Sequence, residues 1–213
     1  MTYRFVCLGD LHLTSGPQNS DRLLALDYVI GDAKLNPVDA WLWPGDLTDA
    51  GMTIDIRNAL VERVVVMASI APVVIVPGNH DPAGDLNFLS RLHAEHAIYV
   101  ITSPRVVTVG LNGARPLTLF CLPYPSKARI VAAGTPPDQV GAVVEQAFDH
   151  IFMEAGAELE DARRHGLLTG MIGHVTISGS VASTGQPQVG GELSINATHI
   201  ARLGDCFKVL NHI

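Results

Sequence analysis

Three short polar clusters carry most of the chemistry-bearing side chains in this 213-residue sequence: Asp10-Leu11-His12, Gly45-Asp46-Leu47-Thr48-Asp49 and Gly78-Asn79-His80-Asp81. Asp46 follows Asp10 by 36 residues, and His80 follows Asp46 by 34. Asp10 and His12 stand two apart, so on extended chain they point to the same side and can hold one cation together. Asp46 has two carboxylate oxygens and can bridge to a second ion. Asn79 offers a neutral carbonyl oxygen, and the neighbouring glycines let backbone approach closely. A mixed oxygen and imidazole donor set suits manganese, iron or zinc better than calcium.

Each cluster terminates an apolar run. Phe5-Val6-Cys7-Leu8, Ala40-Trp41-Leu42-Trp43 and Val73-Val74-Ile75-Val76 read as buried strands. Between them Leu23, Leu26 and Ile30 recur at helical spacing, with Ser20 as the expected N-cap, and Ile56, Leu60, Val64 and Met67 mark a second helix ended by Pro72. Strand, helix, strand, helix, strand implies parallel strands with right-handed crossovers. In such a sheet the loops at the carboxyl ends of the strands converge on a ligand, so the three clusters should meet in space. Further along, Phe88 to His96 reads as helix and strands follow near Ile98–Ile101, Val106–Val109 and Leu117–Leu122. A long helix is expected from Pro137 to about His165, then a strand over Leu167–Ile172 ending at Gly173-His174. Ser178 to Gly191, rich in Ser, Thr, Gly and Gln, reads as a flap, and Phe207–Leu210 as a last strand.

In their order and spacing the three clusters resemble the motifs of the calcineurin-like metallophosphoesterase superfamily. Gly173-His174 resembles its later isolated histidine, and Asn211-His212-Ile213 its terminal Gly-His-x-His, with Asn in the Gly position. The resemblance implies an α/β fold: a βαβ-based sandwich of two mixed sheets flanked by helices, with residues 1–213 forming a single domain. It also implies two divalent metal ions, manganese first and iron, zinc or magnesium otherwise. One would be held by Asp10, His12 and Asp46, plus a histidine expected just past Ile213; the other by Asp46, Asn79, His174 and His212. By the same resemblance the last motif is incomplete, so the C-terminal part is expected to be truncated and the first ion to have three protein ligands. His80 would face the scissile phosphate, stabilising the transition state or protonating the leaving oxygen, with Asp81 orienting its ring.

Thr48-Asp49-Ala50 and Asp81 depart from the serine/threonine phosphatase pattern. Phe120-Cys121-Leu122-Pro123-Tyr124 is similar instead to a strand end of the SbcD/Mre-type DNA-repair exonucleases. That similarity implies a DNA substrate, an SbcC-like coiled-coil ATPase partner and a homodimer, with Lys127 and Arg129 as the basic residues best placed by sequence for phosphate contacts. A phosphoesterase for a small substrate (cyclic nucleotide, nucleotide or lipid pyrophosphate) is the second enzyme reading. A scaffold that keeps the fold without catalysis is the third.

Composition narrows the field. Fourteen Lys and Arg against 21 Asp and Glu give a net charge of −7, which excludes nucleic-acid binding by bulk positive charge. Two divalent ions would supply positive charge where an anionic substrate needs it. Cys7, Cys121 and Cys206 form no disulfide or zinc spacing, and Cys7 and Cys121 sit in apolar runs, where burial is expected. The opening residues resemble no signal peptide and the apolar stretch from Val64 to Val76 is too short to span a bilayer, so a cytoplasmic protein with no membrane partner is expected. Among the remaining histidines, His93 and His96 read as a solvated helix face and His150 and His165 as surface. His199 competes with His212 for the late ligand position. Asp49 reads as a turn cap or as the orienter of a ligand.

Overall fold

The computed structural model of the chain describes residues 2–49, 51–81, 84–113, 115–180 and 193–211. Its first half is the expected alternation: β1 (Phe5–Cys7), α1 (Asn19–Leu35), β2 (Ala40–Pro44), α2 (Ile54–Ala68) and β3 (Val73–Val76), with β4 (Ile98–Val100) completing a parallel sheet in the order β1-β2-β3-β4. The second sheet is mixed, with β5 (Arg105–Val109) antiparallel to β6 (Leu117–Leu122), and β7 (Leu168–His174) and β10 (Phe207–Asn211) parallel to it, in the order β10-β7-β6-β5. Between them in sequence lie α3 (Lys127–Ile130), the long α4 (Val140–Arg164), a small β8–β9 pair (Thr176–Ile177, Ser194–Ile195) and α5 (Ala197–Arg202).

Strand alternation sorts the core into three layers. Trp41, Trp43, Val73 and Ile75 face Leu26, Ile30, Leu60 and Val64 of α1 and α2. Their sequence neighbours Ala40, Leu42, Val74 and Val76 face the second sheet, packing on Leu117, Leu119, Cys121 and Ile172. On that sheet's outer side Phe120, Leu122 and Met171 meet Phe148, Phe152 and Leu159 of α4. The chain is therefore an α/β sandwich of two sheets flanked by helices. A strand buried on both faces needs no polar alternation, which is why its sequence is a continuous apolar run.

Local expectations fail in four places. Gln18, not Ser20, is the N-cap residue of α1; Ser20 lies within the first turn and donates its hydroxyl to the Pro17 carbonyl (2.9 Å). The segment read as helix over Phe88 to His96 is a 3-10 helix from Asp85 to Arg91, after which the chain extends. Leu86 and Leu89, three apart and both buried, set a period of three. The extended part is held by tertiary contact, the His96 N–H donating to the Ala68 carbonyl at the end of α2 (2.8 Å). His93 and His96 accordingly lie on irregular chain between the 3-10 helix and β4, not on a helix face. Cys7 is exposed rather than buried, because β1 is the edge strand of its sheet. Cys121, in the middle of the second sheet, is buried, and desolvation pushes its thiol up to about 12. No helix among the described residues is long and apolar enough to cross a membrane.

Candidate metal centre

The ends of β1, β2, β3 and β7 lie side by side, and backbone bonds splice the loops that follow them. His12 N–H donates to the Asp46 carbonyl (2.9 Å), Leu13 N–H to Leu47 (3.0 Å) and Asp49 N–H to Leu13 (3.0 Å), extending the β1–β2 register past the strands. Arg22, on the first turns of α1, donates a guanidinium N–H to the His12 carbonyl. The loops are strained where they meet. Among the described residues the non-glycine positions with positive φ are Asp10 (53°), His12 (46°) and Asp46 (55°). Left-handed backbone at a residue with a Cβ costs on the order of 1–3 kcal/mol, and persists where the surroundings over-determine it. All three fall on residues singled out from sequence for chemistry.

Asp46 is the hub. Its carboxylate is buried, with Oδ1 accepting the His80 backbone N–H (3.0 Å) and Oδ2 lying 3.3 Å from His174 Nε2 and 3.7 Å from His12 Nε2. Burial pushes its carboxyl above the usual carboxylate range, opposed mainly by the neighbouring His174. Two glycines make the hub fit. A Cβ at Gly78 would overlap Asp46 Oδ1, and a Cβ at Gly45 would overlap His174 Nδ1. His12, Asp46 and His80 each present a ligand-type atom to one point, all within 4.8 Å of one another.

His174 shows what the cluster lacks as bare protein. Its ring is 1% exposed, with Nδ1 2.9 Å from the Pro44 carbonyl and Nε2 2.7 Å from Asn79 Oδ1. Both ring nitrogens therefore face oxygen acceptors, with the Asp46 oxygen also close. A neutral imidazole has one N–H and cannot satisfy both. With Nδ1–H donating to Pro44, Nε2 presents a lone pair to a point shared with Asn79 Oδ1 and Asp46 Oδ2. Three lone-pair donors converging in a buried pocket fit a divalent cation, and the bond to a backbone carbonyl is the kind of outer contact that fixes a ligating histidine.

The remaining site residues fall around this hub. Asp10 is more exposed, with Oδ1 3.7 Å from His12 Nε2 and accepting the Asn211 side-chain N–H (2.7 Å). Asn211 pairs with His174 in the β10–β7 register, so β10 delivers its C-terminal residues to the Asp10 side of the cluster. His212 itself lies outside the described residues, as does most of the flap expected over Ser178 to Gly191. His80 is half-exposed, its ring edge-on to His12 at 4.8 Å between centroids.

The expected partnership of His80 with Asp81 is corrected. His80 Nδ1 is 2.8 Å from Asp49 Oδ1, while Asp81 is buried and turned the other way. Asp81 accepts from the Thr48 N–H (2.9 Å), the Thr48 hydroxyl (3.1 Å) and the Gly78 N–H (2.9 Å), clamping the second loop to the third. The Asp that follows His80 in sequence lies in the bend after β3, where its carboxylate is committed to Thr48 and Gly78. Asp49, 31 positions earlier, arrives through the loop splice. Sequence reasoning left Asp49 as a turn cap or an orienter of a ligand; its carboxylate is found on the His80 ring.

Tyr124 follows β6, with its N–H donating to the Pro77 carbonyl (3.0 Å) and its ring 6.3 Å from that of His174. Lys127 is exposed at the start of α3, on which Arg129 also lies. His199 is nowhere in this group. It is fully buried against Phe148 and Phe152 of α4, where its Nδ1 accepts the Asn196 N–H (3.2 Å) in a capping box at the start of α5. It therefore does not compete for the late ligand position. His150 and His165 are surface residues, as expected.

Comparison with known families accounts for this fold. The sequence matches the calcineurin-like phosphoesterase family over residues 3–174, from the strand before Asp10 through His174. The chain belongs to this family. It is a metallophosphoesterase, of the class that hydrolyses phosphoesters with two divalent metal ions, and the donor set gathered at the strand ends is of the kind that class requires.

Proposed function

We propose that the chain is a phosphodiesterase acting on DNA, of the SbcD type, working in the cytoplasm as a single metallophosphoesterase domain. The observation that carries the phosphodiesterase reading is the oxygen-facing Nε2 of buried His174, held between Asn79 and Asp46 with its other nitrogen on a carbonyl. In this reading Asp46, Asn79 and His174 hold one divalent cation, joined by His212; Asp10, His12 and Asp46 hold the other. Manganese is the first choice for both. The cations supply positive charge on the phosphate and an activated water for in-line displacement.

The chain's own residues do the rest. Asn211 and Arg22 fix the first loop by holding the Asp10 carboxylate and the His12 carbonyl. Asp49 anchors His80 Nδ1, leaving Nε2 free to contact a phosphate oxygen or to carry a proton to the leaving oxygen. Asp81 acts one layer out, keeping the loops of Thr48 and Gly78 in register. Support for DNA comes from Tyr124: the Leu-Pro-Tyr strand end that resembles the nucleases stands beside His174 and is pinned to the His80 loop through Pro77. Lys127 and Arg129 follow on α3, where they would contact backbone phosphates. An SbcC-like coiled-coil ATPase would be the partner of such a subunit.

The test compares a linear DNA duplex with bis(4-nitrophenyl) phosphate, each with Mn²⁺. Cleavage of both, with a DNA rate that falls as salt rises and a shallower salt slope in a Lys127→Ala/Arg129→Ala variant, is the expected result. Hydrolysis of the small ester with no action on DNA would replace the nuclease reading by the small-substrate one. Calorimetry that finds no cation bound would leave a scaffold.

A further inference from the structure

Tyr124, whose ring stands beside His174, also lines a small pocket that the catalytic reading does not use. Three parts of the chain build it. Pro104 comes from the turn between β4 and β5, Pro123, Tyr124 and Pro125 from the segment that leaves β6, and Phe148 and Ile151 from α4. Proline locks its own φ, holds the residue before it to extended chain and has no N–H to present. The Pro-Tyr-Pro run is therefore stiff, and its Tyr124 N–H fixes it to the third loop through the Pro77 carbonyl (3.0 Å). Walls made this way are apolar and formed in advance, as those of ligand sites commonly are.

Size and chemistry select the occupant. The cavity measures about 150 Å³, room for a single aromatic ring and too little for a lipid chain. Tyr124 and Phe148 offer ring surfaces on which another ring stacks or stands edge-on. Thr102 and Ser126 bring hydroxyls to the lining, and no described residue of it is charged. Position points the same way. Tyr124 joins the pocket to the candidate metal centre, and Ser126 joins it to the start of α3, where Lys127 is exposed. A neutral ring site between a phosphate-binding centre and a lysine matches one nucleotide unit, a base whose sugar carries a phosphate on either side.

We infer, resting on the phosphodiesterase reading, that this pocket receives one nucleobase of the DNA strand, next to the phosphate that is cut. The base takes no part in bond making or breaking. Its binding therefore appears in KM more than in kcat, and it selects substrates that carry a flat ring beside the phosphate.

Two diesters with the same leaving group test this on the intact chain with Mn²⁺: thymidine 5′-(4-nitrophenyl phosphate) and methyl 4-nitrophenyl phosphate. The thymidine ester should show a kcat/KM higher by roughly tenfold or more, carried mainly by KM. Ile151→Trp puts a large side chain into the pocket and should bring the ratio of the two kcat/KM values close to one. Pro104→Ala, which trims an exposed part of the wall, should lower the same ratio to a smaller extent. Circular dichroism checks that both variants fold. Equal kcat/KM for the two esters in the parent chain, or a preference that survives both substitutions, would overturn the pocket and leave the phosphodiesterase reading in place. Turnover of neither ester would remove that reading and the pocket with it.

Discussion

Among the described residues, two buried histidines sit in carboxylate clusters, and they differ in what surrounds the two ring nitrogens. At the strand ends, His174 Nδ1 faces the Pro44 carbonyl and Nε2 faces Asn79 and Asp46. On α4, His199 Nδ1 faces the Asn196 N–H, and Nε2 lies 3.4 Å from both Glu145 and Asp149. His199 has one donor to meet at Nδ1, while its buried Nε2 lies beside the two carboxylates without a hydrogen bond to either. Its carboxylates are also occupied, Asp149 by Arg202 (2.6 Å) and Glu145 by the Asn196 amide (3.0 Å). His174 meets oxygen atoms at both ring nitrogens. Spacing alone makes either cluster a metal candidate. A carbonyl anchor on one nitrogen with an amide oxygen on the other marks the candidate cation site, whereas carboxylates already paired with Arg202 and Asn196 mark a clasp that ties α5 to α4.

The largest effect is expected from Asp46→Asn. Phosphodiester turnover with Mn²⁺ should drop by about 10³-fold or more, while circular dichroism shows the fold retained. Turnover that survived would make the strand-end cluster no more a reaction centre than the one on α4. Next, His80→Ala should lose about 10²-fold or more in turnover with its cation stoichiometry intact by calorimetry, and Asp49→Asn about tenfold through a misaimed ring. Equal losses from Asp81→Asn in turnover but not in thermal stability would return the orienting role to Asp81.

Cation binding offers the most direct contrast. Mn²⁺ at about 100 times its dissociation constant should stabilise the parent chain by about 2.7 kcal/mol in thermal unfolding. The gain should shrink in His174→Ala and persist in His199→Ala; the reverse pattern would exchange the roles of the two clusters. His199→Ala should instead cost about 2–4 kcal/mol of stability, from the hole left between Phe148 and Phe152 and from the Asn196 N–H that loses its acceptor, with turnover unchanged. Smallest is Asn196→Ala, which removes the α5 cap and should cost about 1 kcal/mol without touching cation affinity.

Much of this was legible in residues and spacing. The runs before Asp46 and Asn79 read as strands because each is buried on both faces and carries no polar alternation to confuse the period, and the edge run before Asp10 is as apolar though only partly buried. Ile56, Leu60, Val64 and Met67 read as a helix face, and all four are buried. The clusters at the strand ends could be foreseen as neighbours because parallel strands present their carboxyl ends together. Where reading failed, the deciding contact was distant in sequence. Phe88 to His96 looked helical until the Ala68 carbonyl claimed the His96 N–H, and Cys7 looked buried because nothing in a single strand says it is an edge.

The sequence by itself determined the chemistry available: which donors the chain carries, in what order, and on which strand ends. Tertiary structure alone decided the pairing among them. Asp49 and not Asp81 reaches the His80 ring, and Pro44 rather than a second donor meets His174. The pairing was illegible because a side chain's partner depends on how strands register and which way each residue faces, and both are set by packing the two sheets and their helices together. The same side-chain types thus give a candidate cation site at one end of the sandwich and a helix clasp on its flank.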